Sequence, residues 1–136
     1  MRLVICLDDG NGMMFNHRRQ SRDREVIADI VAMSQGGTLY MDAYSEPLFA
    51  QTDADIRISR EIPTDGGEAD VYFMEDRSPL PYLRAFDAVT VYRWNRRYPA
   101  DLIFDADWEK HGFHPMACME FVGSSHEKIT KENFER

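Results

Sequence analysis

The stretch from residue 69 to residue 94 reads ADVYFMEDRSPLPYLRAFDAVTVYRW, and it decides the fold. Residues 69–74 and 88–94 are rich in β-branched and aromatic side chains, which is typical of buried strands. Between them, residues 79–86 carry Pro79 and Pro81, which favour the first turn of a helix. This order of strand, short helix and strand predicts a βαβ unit, which implies a parallel pair and a right-handed crossover.

Further elements lie on both sides of this unit. Residues 3–7 (LVICL) form an apolar run that predicts a central strand buried on both faces, and the turn sequence DDGNG at 8–12 ends it. Ser21 is placed to cap a helix with apolar positions from Val26 to Met33, which Gly36-Gly37 ends. We also expect strands at 38–41, 56–58, 102–104 and 119–122, a short helix at 46–50, and a short helix or ordered tail at 124–130. These elements predict a single α/β domain over residues 1–136, with a mostly parallel or mixed central sheet flanked by short helices.

Composition excludes several classes of protein. The chain has 136 residues, 43% of them apolar, which fits one globular domain and argues against disorder. No apolar run approaches the roughly 18 residues that span a bilayer, and the N-terminal run lacks the length and cleavage site of a signal peptide. A net charge of −8 argues against general electrostatic binding to nucleic acid or to an anionic membrane. Cys6 and Cys118 are expected to be buried free thiols, which predicts a cytoplasmic protein.

The arginines are nevertheless clustered in two short stretches. Arginine captures carboxylate and phosphate groups through two hydrogen bonds, and the first cluster stands at a predicted helix N-terminus, which favours anions. The second cluster alternates with aromatic residues, which could stack on bases or lock a loop. Pairing of both clusters with the chain's own carboxylates remains the alternative. The candidate ligand contacts are Arg18, Arg19, Arg22, Arg93 and Arg96.

Asp8 and Asp9 follow the carboxyl end of the first predicted strand. That edge of an α/β sheet binds ligands, and paired carboxylates there can hold Mg²⁺ or act as acid and base. A role in the turn is the alternative. The histidines show no zinc-site spacing, and neither a phosphate-binding loop nor a nucleophile elbow is present. Ser124, Ser125 and His126 are adjacent in sequence, which does not by itself make a catalytic triad.

Three groups of motifs resemble one family of small bacterial proteins. They are VICLDD at 4–9, NGM at 11–13 and RRQSRDR at 18–24; YRWNR at 92–96 and YPAD at 98–101; and GSSHEKITKE at 123–132. Together they span most of the chain. The family is often labelled ribonuclease Z, but the His-x-His-x-Asp-His zinc motif of true ribonuclease Z enzymes is missing here. The resemblance therefore implies no catalytic residue at any position of this sequence.

The order of elements is also similar to that of dihydrofolate reductase. The shared features are an initial strand, a loop with Gly12-Met13, a helix, a strand at Leu39, and a late strand followed by the sequence DADWE at 105–109. The Gly-Gly turn that such enzymes use for the NADPH pyrophosphate has no counterpart after residues 89–92.

Two function classes remain open from the sequence. The first is a protein that binds a phosphate-bearing ligand, either a nucleotide or short RNA, through its arginines; whether it is an enzyme and which cofactor it uses stay open. The second is a non-enzymatic interaction or regulatory module. The first predicts that both arginine clusters and Asp8 line one cleft, and the second that the arginines pair with Asp23, Asp101 and Asp105.

Overall fold

The computed structural model describes residues 1–104 and 107–136, which form a seven-stranded mixed sheet and a small three-stranded sheet. Asp105 and Ala106, part of the segment that resembles dihydrofolate reductase, lie outside the described residues. One α-helix, α1, spans Arg24–Met33, and 3₁₀ helices span Glu46–Phe49, Leu80–Ala85 and Trp108–His111. The strands are β1 Arg2–Leu7, β2 Gly12–Phe15, β3 Arg18–Arg19, β4 Leu39–Met41, β5 Ile56–Ile58, β6 Val71–Phe73, β7 Ala88–Arg93, β8 Leu102–Ile103, β9 His114–Phe121 and β10 Ile129–Glu135.

The large sheet confirms the predicted α/β architecture. Its strand order is β5-β4-β6-β1-β7-β10-β9. The pairings from β5 to β7 are parallel, and those of β10 with β7 and β9 are antiparallel. β6 and β7 run parallel, as the βαβ pattern predicts, but they do not pair directly, because β1 lies between them and pairs with both. The small sheet has the order β3-β2-β8.

The core lies on both faces of β1, as its continuous apolar run predicts. Leu3 and Ile5 are fully buried on one face. Val4 points to the other face, where Val26 and Ile30 of α1 cover it. Because α1 packs on this face, its N-terminus is held close to the carboxyl ends of the central strands.

The helix cap differs from the prediction. Asp23, not Ser21, is the N-cap of α1: its backbone is extended, and its Oδ1 accepts the N–H of Glu25 at 2.9 Å. Ser21 lies two residues earlier, and its hydroxyl hydrogen-bonds to His126 instead. The carboxylate of Asp23 therefore takes the capping position and frees the serine for other contacts.

The segment predicted as a helix or tail at residues 124–130 is not helical. Its end belongs to β10, a seven-residue strand between β7 and β9. Ser124 contributes instead to the capping of α1, because its Oγ accepts the N–H of Arg24 at 2.9 Å, across 100 residues of sequence. β9 is also longer than the predicted strand at 119–122, because it pairs with β10 along its full length.

Both cysteines are free thiols, as expected, but they are not both buried. Cys6 is half-buried at the end of β1, whereas Cys118 is exposed on β9. The exposure of Cys118 follows from the position of β9 at the edge of the sheet. Over residues 1–104 and 107–136, no helix combines the length and apolar content needed to cross a membrane.

Candidate functional site

A cleft lies at the carboxyl ends of the three central parallel strands. Cys6 near the end of β1, Glu75 after β6 and Trp94 after β7 line it. After β1 the chain passes to β4 on one side, whereas after β6 it crosses to β7 on the other side. Ligands of open α/β sheets bind where strand connections diverge in this way. The position of the cleft therefore makes it the candidate functional site.

The cleft has an apolar floor and little free space. Val26, Leu48 and Phe73 contribute apolar side chains to its lining. The volume open to the centre of a water molecule is about 20 Å³, which is room for about one water. Only a small group enters without movement of the polar side chains at the rim.

One wall of the cleft is a buried ion pair. Arg19 binds Glu75 through two parallel hydrogen bonds, Nε to Oε1 at 3.0 Å and Nη2 to Oε2 at 2.9 Å. Ser45 donates a further hydrogen bond to Oε2 at 2.6 Å, and the guanidinium of Arg19 lies over the ring of Tyr44. Glu75 is 6% exposed, so this pairing neutralises a carboxylate that has little access to water.

Ser21 and Asp23, which line the cleft, belong to a polar network around His126. Its Nδ1 lies 2.9 Å from Oδ2 of Asp23, and its Nε2 lies 3.0 Å from Oγ of Ser21 and 3.1 Å from the hydroxyl of Tyr98. Trp94 stacks on the imidazole with 4.7 Å between ring centroids. The side chains of His126 and Asp23 are 1% and 0% exposed.

Asp23 remains ionised in this network. Burial opposes its ionisation, but hydrogen bonds from the N–H of Ser124, from His126 and from the N–H of Ser125 outweigh burial and hold the pKa of Asp23 well below its usual range. Cys6 behaves oppositely, because burial, with the charges of Glu75 and Asp23, raises the pKa of its thiol. The thiol is therefore protonated at neutral pH, and Cys6 lacks the thiolate that a nucleophile requires.

Asp8 and Asp9 occupy different environments. Asp8 is buried below the turn, where its Oδ1 accepts the N–H groups of Gly10 and Gly12 and its Oδ2 accepts the N–H of Tyr98 and Nε2 of Gln20. Burial opposes its ionisation, but these donors lower the pKa of Asp8. They also occupy the acceptor sites of the carboxylate that a cation would need. The geometry thus favours the turn role, while the side chain of Asp9 is exposed.

The sequence-predicted arginines are distributed around the cleft rather than gathered inside it. Arg19 and Arg22 line it, and Arg18 borders an adjoining groove. Arg96 borders another groove, on the far side of Trp94. The guanidinium of Arg93 binds other residues instead: its Nε lies 2.9 Å from Oε1 of Glu132, and its Nη1 lies 2.7 Å from Oδ1 of Asn11.

Three of these arginines have exposed side chains without an acidic partner. Among the residues that the structure describes, no carboxylate forms an ion pair with Arg18, Arg22 or Arg96. The described carboxylates of Asp23 and Asp101 pair with none of the arginines, and Asp105 lies outside the described residues. Free guanidinium groups around a cleft give it a positive rim in an otherwise acidic protein.

The sequence analysis did not place Glu75, Tyr98 or His126 at this site, and it considered His126 only with its sequence neighbours Ser124 and Ser125. The three residues come from separate segments, and nothing in their local sequence marks them as neighbours of the Arg18–Arg24 stretch. A buried partner for a carboxylate or imidazole becomes visible only when the strands are assembled. Within the described ranges, no cluster of three or more His, Cys, Asp or Glu side chains is arranged to hold a metal ion.

The comparisons with known proteins concern the fold. No protein-family model and no curated protein matches the chain. Among solved structures, it is similar to dihydrofolate reductase from Enterococcus faecalis complexed with NADP(H) and RAB-propyl, with a TM-score of 0.68 and 12% sequence identity over 99% of this chain and 95% of that one. At this identity the similarity shows a dihydrofolate reductase-like fold and nothing further. The resemblance to the family labelled ribonuclease Z stays a prediction.

Proposed function

We propose that this protein binds a small phosphate-bearing ligand of the nucleotide class at the cleft. The observation that carries the proposal is the location of Arg22 and Arg18, two exposed arginines without acidic partners among the described residues, at a cleft where the strand connections diverge. The fold similarity supports the ligand class, since the dihydrofolate reductase it resembles is complexed with a dinucleotide phosphate.

The polar groups of the rim suit such a ligand. Arginine binds phosphate oxygens through paired hydrogen bonds. Gln20, between the cleft and the adjoining groove, has an Oε1 that is buried without a hydrogen-bond partner among the described residues. An N–H donor on a ligand ring would satisfy it. The ligand's phosphate would contact Arg22 and Arg18, while a small part of its ring system enters the cleft.

The test is a thermal-shift series with inorganic phosphate, AMP, ATP, NADPH and a six-nucleotide RNA. A ligand at a hundred times its Kd stabilises the folded state by roughly 2.7 kcal/mol, which gives a clear rise in Tm. We expect one phosphate-bearing compound to raise the Tm, and we expect the double variant Arg18→Ala/Arg22→Ala to lose that shift. Arg84→Ala is the matched control, because Arg84 is exposed and borders a groove with Leu80 and Arg136, away from the cleft.

Two results would contradict this function. Either no phosphate-bearing compound raises the Tm, or the double variant responds as the unchanged protein does. A response to RNA alone would assign the site to a nucleic acid strand rather than to a free nucleotide. Binding should also weaken with added salt, since exposed charges are screened.

A second candidate function, an interaction module, is favoured by β9. This strand is the edge of the large sheet, and seven of its eight residues are exposed. Met116 and Met119 in β9 and Val122 directly after it expose 61%, 48% and 74% of their surface. An unprotected edge strand with apolar side chains pairs readily with another strand.

The occupant that fits this edge is a second copy of the chain. Pro115 has no N–H, so it limits pairing to the residues that follow it. An antiparallel pairing centred on Met119 places Met116 of each copy opposite Val122 of the other. One two-fold contact then covers the apolar side chains of both copies.

A further inference from the structure

Ser21, His126 and Asp23 form a continuous chain of hydrogen bonds. Oγ of Ser21 lies 3.0 Å from Nε2 of His126, and Nδ1 of the same ring lies 2.9 Å from Oδ2 of Asp23. A hydroxyl, an imidazole and a carboxylate joined in this order constitute a nucleophile, its general base and the group that orients the base. The chain runs between residues that are 105 positions apart in sequence, so only the folded structure shows it.

The direction of each hydrogen bond follows from the ionised carboxylate. Asp23 only accepts hydrogen bonds, so Nδ1 of His126 carries the proton and donates it to Oδ2. Nε2 is then an acceptor, and the hydroxyl of Ser21 can donate to it. The Tyr98 hydroxyl lies 3.1 Å from Nε2 of His126 and 3.4 Å from Oγ of Ser21, so it can donate to either atom. The network is thus arranged to take a proton from Ser21 and to receive negative charge near its Oγ.

Ser21 is the member of this hydrogen-bonded chain that is accessible from the cleft. The side chains of Asp23 and His126 are inaccessible, and Trp94 covers one face of the imidazole. Ser21 is half-buried and lines the cleft. A molecule that enters the cleft therefore meets the nucleophile first, while the base and its carboxylate stay behind it.

We propose that Ser21 is the nucleophile of an acyl-transfer reaction that hydrolyses a small carboxylic ester in the cleft, with His126 as general base and Asp23 as the residue that positions it. The proposal uses the same cleft as the proposed function and requires none of its arginines. Because the free volume of the cleft holds about one water, an acyl group enters only when the rim side chains move, and a short acyl group such as acetyl needs less movement than a long one.

The reaction balances without a further reactant besides water. Oγ of Ser21 forms a bond to the acyl carbon as its proton passes to Nε2 of His126, and the resulting oxyanion lies near the Tyr98 hydroxyl. The ester C–O bond then breaks, and the imidazolium gives its proton to the departing alcohol. In the second half, water attacks the acyl carbon and gives a proton to Nε2. The acyl bond to Oγ breaks, and Oγ regains that proton.

The first test is covalent labelling with a fluorophosphonate, which modifies activated serines. The folded protein should gain one adduct by intact mass, and peptide mapping should place it on Ser21. Ser21→Ala should abolish the adduct, whereas Ser59→Ala should keep it, because the Ser59 hydroxyl bonds to a carbonyl far along the chain from the network. His126→Gln should slow labelling by about a hundredfold or more, in the range of general-base catalysis. The Tm of each variant shows that it is folded.

The second test is turnover of p-nitrophenyl acetate and p-nitrophenyl octanoate. We expect hydrolysis of the acetate ester with a preference over octanoate, and its loss in Ser21→Ala. Asp23→Asn should lower kcat with little change in KM, because the ring of His126 is no longer held in the tautomer that accepts the Ser21 proton. A purely structural role of Asp23 would change the Tm without this separation of kcat from KM.

The outcomes separate this proposal from the ligand-binding proposal. An unlabelled Ser21 in the folded protein, or labelling at the same rate in His126→Gln, would overturn the acyl-transfer site whatever the nucleotides do. Labelling at Ser21 together with no nucleotide-induced Tm shift would support the acyl-transfer site and remove the phosphate-bearing ligand.

Discussion

At the scale of single residues, Asp8 has the clearest energetic role. Its buried carboxylate accepts four N–H groups, and truncation would leave these donors without a partner under the turn. A hydrogen bond to a charged group contributes about 1.5–3 kcal/mol, and bonds that share one carboxylate are not additive. We therefore expect Asp8→Ala to lower the free energy of unfolding by about 3 kcal/mol, measured by urea denaturation.

The neighbouring aspartate is the matched control for this prediction. Asp9 is exposed, and its backbone N–H donates to the carbonyl of Arg96, a hydrogen bond that an alanine retains. Asp9→Ala should leave the free energy of unfolding within about 0.5 kcal/mol of the unchanged protein. Equal losses in both variants would show that charge, rather than the hydrogen bonds of the turn, governs stability here.

Residue roles were only partly predictable from the sequence. The Arg18–Arg24 stretch was identified as a candidate site, and Arg19 and Arg22 do line the cleft. Pairing of the arginines with the chain's own carboxylates was an open alternative, but Glu75 was not identified as the partner of Arg19, because 56 residues separate the two and neither has a distinctive local sequence. Ser21 was noted for its place before the helix, but its bond to His126 depends on the folding of the C-terminal segment.

At the scale of secondary structure, β9 carries a prediction about assembly. If a second copy pairs with its edge, light scattering after size exclusion should give a dimer mass at high protein concentration. Met119→Lys places a charge at the centre of the proposed pairing, where charged edge residues oppose association, so this variant should be a monomer. Leu80→Lys, at an apolar residue that is 50% exposed in a 3₁₀ helix, should behave as the unchanged protein. A monomer at every concentration would remove this interface.

Strands with dense apolar runs were predicted close to their observed bounds, and so was the short β5, whereas β10 was not predicted as a strand. β1, β6 and β7 have buried side chains on both faces, so their sequences carry a strong signal. β10, with the sequence ITKENFE, has mostly half-buried side chains and contains Lys, Glu and Asn, which are depleted in strands. β10 is a strand because it pairs with β7 and β9, and such pairing between distant segments leaves no pattern in the local sequence.

At the scale of the whole molecule, acid should unfold the protein through a small set of carboxylates. Asp8, Asp23, Asp42 and Asp70 all have lowered pKa values. Burial opposes the ionisation of the first three, but hydrogen-bond donors outweigh it, and backbone N–H groups are the main cause at Asp70. A carboxylate with a lowered folded pKa stabilises the folded state above its unfolded pKa of about 3.9, and this contribution is lost as pH falls towards the folded value.

We expect the free energy of unfolding to decline from about pH 5 downward, because the unfolded chain then binds more protons than the folded one. The measurement is urea denaturation at a series of pH values in low salt and in 0.5 M NaCl.

The chain carries a net charge of −8 at neutral pH and passes its isoelectric point near pH 4.9, so repulsion between positive charges also grows in acid. Salt screens that repulsion between exposed groups but leaves hydrogen bonds to buried carboxylates largely intact. A decline that persists in high salt and is smaller in Asp8→Ala supports the carboxylate origin. A decline that salt abolishes would assign it to net charge instead.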